Sequence, residues 1–192
     1  MTTDTEHRKR ALRAELRERR RNLTSSEQDH ASAGLTENLQ SVTLGLSARS
    51  VACYLSAPDE PNTRPYLAWA QSEGLRLLFP VSRDDGLLDW TVGEDGEELV
   101  GLFGMPEPSG ELLSPLAIND VDLILVPAAA IGRDGMRMGW GKGYFDKTLG
   151  SMEKCPPVYA VVYDSELIDE VPRERHDQPV DGVVTPDRII EF

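Results

Sequence analysis

The sequence predicts an α/β fold of three layers, a mostly parallel sheet flanked by helices on both faces. Three observations lead there. Short continuous apolar runs at Val51 to Leu55, Leu75 to Phe79, Leu123 to Val126 and Val158 to Tyr163 have the length and composition of strands covered on both sides. Helix-forming segments alternate with these runs, and that alternation favours parallel pairing. At 192 residues, 40% of them hydrophobic and 28% charged, the chain suits one domain over 1–192 with a substantial core.

Residues 7–21 contain no Pro or Gly and set Leu12 and Leu16 one turn apart, so they form a helix. Lys9, Arg13 and Arg17 recur at i, i+4 and draw a basic stripe along it, which composition alone reads as a solvated face. Ser25 or Ser26 caps a second helix running to about Leu46. The run Val51 to Leu55 leads into Ser56-Ala-Pro-Asp-Glu-Pro-Asn-Thr63, a loop beyond a strand end, where open α/β sheets bind ligands. A helix begins near Thr63. The next strand, Leu75 to Phe79, ends at Pro80; residues 83–96 read as a hairpin-like excursion with Trp90 packed, and Gly101 to Pro108 as a loop. Val158 to Tyr163 precedes the polar segment Val171 to Thr185.

The net charge of −13 argues against nucleic-acid binding. It is unevenly spread, since residues 1–21 alone carry +4. No apolar run reaches the roughly 20 residues of a membrane span, and the N-terminus lacks the apolar core of a signal peptide, so the cytoplasm is expected. Cys53 and Cys155 have no metal or redox spacing and read as reduced structural thiols.

The stretch from Leu123 to Leu149 carries the chemistry. A buried strand is followed by Gly135 and by Gly139, Gly141 and Gly143, interleaved with Arg137, Trp140 and Lys142; a helix over Tyr144 to Leu149 follows. Glycines allow amide N–H groups to converge on one point, and two cations beside them make a phosphate cradle. It is not a P-loop, because Met136 and Gly143 stand where a glycine and a Ser or Thr are needed. Nor is it a dinucleotide fingerprint, since Asp146 occupies the place of the third glycine. A carboxylate beside phosphates implies an intervening hard cation, Mg²⁺.

The run Val126-Pro127 followed by Gly135-Met-Arg-Met-Gly-Trp-Gly-Lys-Gly-Tyr-Phe-Asp146 resembles the signature of the 5-formyltetrahydrofolate cyclo-ligase (5,10-methenyltetrahydrofolate synthetase) family. Lys9-Arg-Ala-Leu-Arg13 is similar to the element with which these enzymes begin. The resemblance implies a Rossmann-like sheet of the ribose-phosphate isomerase and CoA-transferase type. It implies ATP and Mg²⁺ as cofactors, and Lys9, Arg13, Arg137, Gly139, Trp140, Gly141, Lys142, Gly143, Tyr144 and Phe145 as the nucleotide site. Arg13, Leu55, Glu60, Trp140 and Tyr144 are implied to meet the folate, with Glu60 accepting the paired N–H donors of the pterin. Asp146 and Asp181 are implied as metal ligands, and His176 as a polar contact without a role. Met105-Pro-Glu-Pro108 resembles the family's Pro-containing segment before its central strand, with two readings open, a lining of the folate pocket or a simple turn.

The implied reaction turns 5-formyltetrahydrofolate, with or without a polyglutamate tail, into 5,10-methenyltetrahydrofolate while ATP becomes ADP and phosphate. Arg137 and Lys142 neutralise the transferred group, and Trp140 and Tyr144 flank the loop where a flat ring stacks. Together Arg137, Lys142 and Tyr144 form the expected catalytic group. A monomer acting on small molecules is expected. The rival readings are a sugar-phosphate isomerase or CoA-transferase-like enzyme on the same architecture, and a non-catalytic folate or nucleotide binder.

Overall fold

The structure is a computed structural model and describes residues 4–93, 98–152 and 156–192. The helices are α1 (Asp4–Arg21), α2 (Ser25–Gly45), α3 (Arg64–Ser72) and α4 (Tyr144–Gly150). The first six strands are β1 (Ser50–Ala52), β2 (Arg76–Ser82), β3 (Leu88–Val92), β4 (Glu98–Val100), β5 (Pro106–Pro108) and β6 (Leu112–Leu113). They are followed by β7 (Leu123–Pro127), β8 (Ala130–Gly132), β9 (Arg137–Met138), β10 (Val158–Val161), β11 (Leu167–Ile168), β12 (Gly182–Val184) and β13 (Ile189–Glu191).

Eight strands make the main sheet, in the order β13-β12-β10-β7-β1-β2-β3-β6. β12, β10, β7, β1 and β2 are parallel, while β13 and β3 pair antiparallel with β12 and β2. From β1 the chain moves outward to β2; from β7 it moves the other way, to β10. That reversal between neighbours β1 and β7 is a topological switch point, and a crevice opens at the carboxyl ends of such strands.

Alternate side chains along each strand go to opposite faces. Val51, Leu77, Leu123 and Leu125 pack with Leu35 and Leu39 of α2 and Tyr66 and Leu67 of α3. Ala52, Leu78, Ile124 and Val126 pack on the other side, where Tyr144, Phe145 and Leu149 of α4 close the third layer. Leu39 is fully buried, and its truncation to Ala costs about 2–5 kcal/mol. α1 covers a smaller sheet, β11-β8-β9, through Leu16 set against Ala129, Ala130, Met138 and Val171.

Several local expectations are adjusted. Thr24, not Ser25 or Ser26, caps α2, because Glu27 stands three residues on and returns a carboxylate to the Thr24 amide at 2.8 Å, closing a capping box. β1 stops at Ala52; the Cys53 amide still reaches Leu78 O at 2.8 Å, and then the chain leaves the sheet. β2 runs on through Pro80 to Ser82, since β1 pairs only with Arg76 to Leu78 and the proline lies beyond that ladder, where a missing N–H is tolerated. Residues 101–108 hold a 3₁₀ turn and β5, which pairs with β4 in a two-stranded ribbon, rather than a plain loop. Trp90 is packed in the core as expected. Cys53 is buried, and burial pushes its thiol well up, fitting an inert structural role; Cys155 and residues 94–96 of the excursion lie outside the described residues. Among the described residues no helix is long and apolar enough to cross a membrane.

Candidate active site

A cleft of about 330 Å³ lies where the switch point places it, beyond the carboxyl ends of β1, β2 and β7. One wall is the loop after β1. Thr63 folds this loop back by donating its hydroxyl to Tyr54 O (3.2 Å) and its amide to Ser56 Oγ (3.3 Å). Leu55 and Glu60 are thereby turned into the cleft. The Glu60 carboxylate is 7% exposed and accepts the Ala57 amide at 2.9 Å. Burial pushes its carboxyl above the ordinary value; the Ala57 bond and the Arg20 charge pull it back, while Asp59 and Glu166 push it further up.

The opposite wall begins at Pro127 and is not the simple strand–loop–helix the sequence suggests. The hairpin of β8 and β9 intervenes and sets Arg137 on a strand rather than on the glycine loop. Its guanidinium, 3% exposed, donates Nη1 to Pro127 O (3.0 Å) and Nη2 to Asp146 Oδ1 (2.8 Å). The Gln178 amide donates to that same Asp146 oxygen at 3.3 Å, so Oδ2 takes part in neither bond. Between Arg137 and α4 the loop turns through Gly141 (φ +100°) and Gly143 (φ +73°), backbone conformations that side chains disfavour. A Cβ at Gly141 would also come within 3.2 Å of the Arg13 guanidinium, which seats α1 on the loop by donating Nε to Gly139 O at 2.8 Å.

Most of the expected site residues meet here. Arg137, Gly139, Trp140, Lys142 and Gly143 line the cleft, as do Tyr144, Phe145 and Asp146. Lys142 is exposed on the loop. Tyr144 donates its hydroxyl to Arg83 O at 2.9 Å, and Phe145 also packs into the core behind. Gly141 within the loop and Arg13, which reaches the loop from α1, stand behind that lining. Met105, Pro106 and Glu107 contribute a rim from the ribbon side.

Two of the expected site residues are not brought to the cleft. Lys9 is 4% exposed and bridges Glu174 (2.9 Å) and Asp177 (2.6 Å), so its ammonium ties α1 to the 174–178 segment instead of facing the cleft. Asp181 stands where β12 begins beside the start of β10, its carboxylate accepting the Val158 amide at 2.8 Å. That is the amino end of the strands, whereas Asp146 belongs to the carboxyl end; the two carboxylates are not brought together. His176 is exposed, 3.8 Å from the carboxylates of Glu174 and Asp177.

The expected site omits Tyr54, Arg20 and Asp177, and holds Arg17 only as part of the basic stripe of α1. Arg13, Arg17 and Arg20 lie at i, i+4, i+7, and this spacing places Arg20 on the site-facing side beside Leu16. The Arg20 and Arg17 guanidinium carbons stand 4.7 and 5.0 Å from the centre of the Trp140 ring. No comparable signal marked Asp177, which meets Lys9 only in three dimensions. Three cleft residues, Tyr54 (Oη), Arg137 (Nε) and Trp140 (Nε1), hold buried polar atoms without a hydrogen-bond partner, an arrangement that a polar ligand resolves.

Comparison with known proteins gives this geometry a family. A model of the 5-formyltetrahydrofolate cyclo-ligase family matches residues 5–186. The 5-formyltetrahydrofolate cyclo-ligase of Mycolicibacterium smegmatis is 35% identical over 182 residues, covering 92% of this chain and 93% of that protein. The enzyme of the same name from Escherichia coli is 28% identical over 92% of this chain and 100% of its own. Among solved structures, the Aquifex aeolicus 5,10-methenyltetrahydrofolate synthetase superposes with a TM-score of 0.80 at 29% identity, over 95% of this chain and 92% of that one. A Mycoplasma pneumoniae 5,10-methenyltetrahydrofolate synthetase shares the fold at a TM-score of 0.75 and 20% identity, over 94% and 99%. The chain belongs to the 5-formyltetrahydrofolate cyclo-ligase family of enzymes.

Proposed function

We propose that this protein converts 5-formyltetrahydrofolate to 5,10-methenyltetrahydrofolate at the cleft, using MgATP and passing through a phosphorylated formyl oxygen. One observation carries the reading: a single cleft joins a buried carboxylate, Glu60, to a wall of cations and glycines, Arg137 and Lys142 with Gly139 and Gly143. The first suits the adjacent N–H donors of a pterin, the second a triphosphate.

An N-formyl group is an amide, and its oxygen leaves poorly. Moving the γ-phosphoryl group of ATP onto that oxygen gives an iminium phosphate. The neighbouring N–H nitrogen then attacks the formyl carbon and gives up its proton, and the carbon–oxygen bond breaks as phosphate departs, leaving the closed ring. No covalent bond to the protein forms, so the work of the residues is to position groups and balance charge. Lys142 reaches the phosphates from the loop, and Arg137 supports the transferred group while Pro127 and Asp146 hold it in place. Tyr144 and Trp140 bound the space for a flat ring. The Asp146 carboxylate fits a divalent cation, because it lines the cleft and both of its bonds fall on Oδ1. Mg²⁺ held there would draw charge from the phosphate oxygens.

The test is the growth of methenyl absorbance from 5-formyltetrahydrofolate with and without MgATP. Turnover that requires both nucleotide and metal supports the reading. Turnover without ATP would point to isomerase-like or transferase-like chemistry, and binding without turnover to a sensor.

A further inference from the structure

An enclosed ion pair joins α1 to the 3₁₀ turn at Asp164–Glu166. Arg20 and Glu166 are each 2% exposed. The guanidinium donates Nε to Oε1 at 2.6 Å and Nη2 to Oε2 at 2.9 Å, a two-point fork between residues 146 apart in sequence. Nη2 also donates to Ala128 O at 3.0 Å, just past β7, and Glu166 Oε2 accepts the Tyr163 amide at 2.8 Å. These bonds fix the plane of the guanidinium. Trp140 lies 4.7 Å from it and the Tyr163 ring 5.7 Å. Arg20, Trp140, Tyr54 and Glu60 line the same cleft.

A buried pair of this kind adds little net stability, because desolvation offsets the attraction, and packed apolar residues commonly serve folding equally well. Apolar residues would not supply a cation locked against the cleft wall. We propose that Glu166 is a positioning residue for folate recognition, acting through Arg20. The clamp holds the guanidinium where it backs the Trp140 ring and offers a fixed positive charge to the Glu60 side of the cleft. The inference rests on the reading of Glu60 and Trp140 as folate contacts.

The charges facing Glu60 give the test its direction. Arg20 on α1 draws the Glu60 carboxyl toward its ionised form, while Asp59 on its own loop and Glu166 on the 3₁₀ turn oppose that, Arg20 being the strongest of the three. Tyr54 and Tyr163 face the same group and are themselves raised by burial. Removing Arg20 and Glu166 together therefore pushes Glu60 up, and removing the Glu166 charge alone lets it fall.

The decisive variant replaces the pair with apolar residues, Arg20→Met with Glu166→Leu. It is expected to keep the parent's thermal midpoint, to raise KM for 5-formyltetrahydrofolate by about tenfold with KM for MgATP within about twofold, and to move the acid limb of the folate kcat/KM profile to higher pH. Glu166→Gln should move that limb the opposite way. Arg20→Lys, which keeps the charge but loses the fork, should raise the folate KM without moving the limb. A folded double variant with the parent's folate KM and pH profile overturns the proposal. If the double variant does not fold, parental folate KM in both single variants overturns it as well. Glu60→Gln separates the two levels. An unchanged folate KM there sinks the folate-contact reading itself, whereas a raised one beside silent clamp variants sinks only the role of Glu166.

Discussion

Lys142 is exposed on the loop between Arg137 and α4, so little packing depends on it. Lys142→Ala is therefore expected to lower kcat with MgATP by about a hundred- to a thousandfold. Its stability should stay within about 0.5 kcal/mol of the parent. Unimpaired turnover in steady-state assays would remove Lys142 from the reaction. Glu60 is the opposite case, a buried acid whose carboxyl is raised above its ordinary value of 4.5, first by burial. As pH climbs past 4.5 the unfolded chain ionises Glu60 before the folded protein does, so this residue's contribution to stability is full below that value and is lost as pH rises through the folded pKa. Glu60→Gln should accordingly match the parent at about pH 4 and exceed it in thermal midpoint near about pH 7.5. The same substitution should weaken folate binding and spare ATP. A variant that loses stability relative to the parent as pH rises would show that burial does not control this group.

At the scale of elements, α1 is a strap that reaches the site from outside the sheet. Its Arg13 holds the glycine loop by Gly139 O, while Lys9 grips the 174–178 segment, whose Gln178 amide in turn restrains Asp146. Lys9→Ala leaves the Asp177 carboxylate buried at 6% exposure beside a lost partner, and a cost of about 3–5 kcal/mol in urea unfolding is expected. A raised KM for ATP with unchanged stability would instead return Lys9 to the phosphates. Asp181 serves the start of β10 through the Val158 amide. Asp181→Asn should cost about 1 kcal/mol of stability and leave the Mg²⁺ activation curve in place. Asp146→Asn should shift that curve to higher Mg²⁺, and coincident shifts in the two variants would join both carboxylates at one metal.

For the whole molecule, the parts that were legible in sequence are those written in contiguous residues. Glycines at 139, 141 and 143, with Arg137, Lys142 and Asp146 between and beside them, mark the segment that lines the cleft without any knowledge of the sheet. Strand-like runs and the helix over residues 7–21 announce the α/β class in the same way. What escaped are relations between distant residues. Whether Lys9 faces phosphates or the carboxylates of Glu174 and Asp177 depends on where residues 174–178 fold back, and nothing in the local sequence states that. Arg20 and Glu166 are likewise invisible until 146 residues of chain bring them together. Asp181 looked equivalent to Asp146 because sequence does not say at which end of the strands a carboxylate emerges. The central claim is that one cleft between β1 and β7 receives the triphosphate on residues 137–146 and the pterin at Glu60. A crystal structure with Mg²⁺, a non-hydrolysable ATP analogue and 5-formyltetrahydrofolate measures it directly. The phosphates should lie against Arg137, Lys142 and the Gly139 to Gly143 amides, with the pterin on Glu60 and the formyl oxygen turned toward the γ-phosphate. A triphosphate seated away from that loop, or a pterin that leaves Glu60 uncontacted, would contradict the assignment.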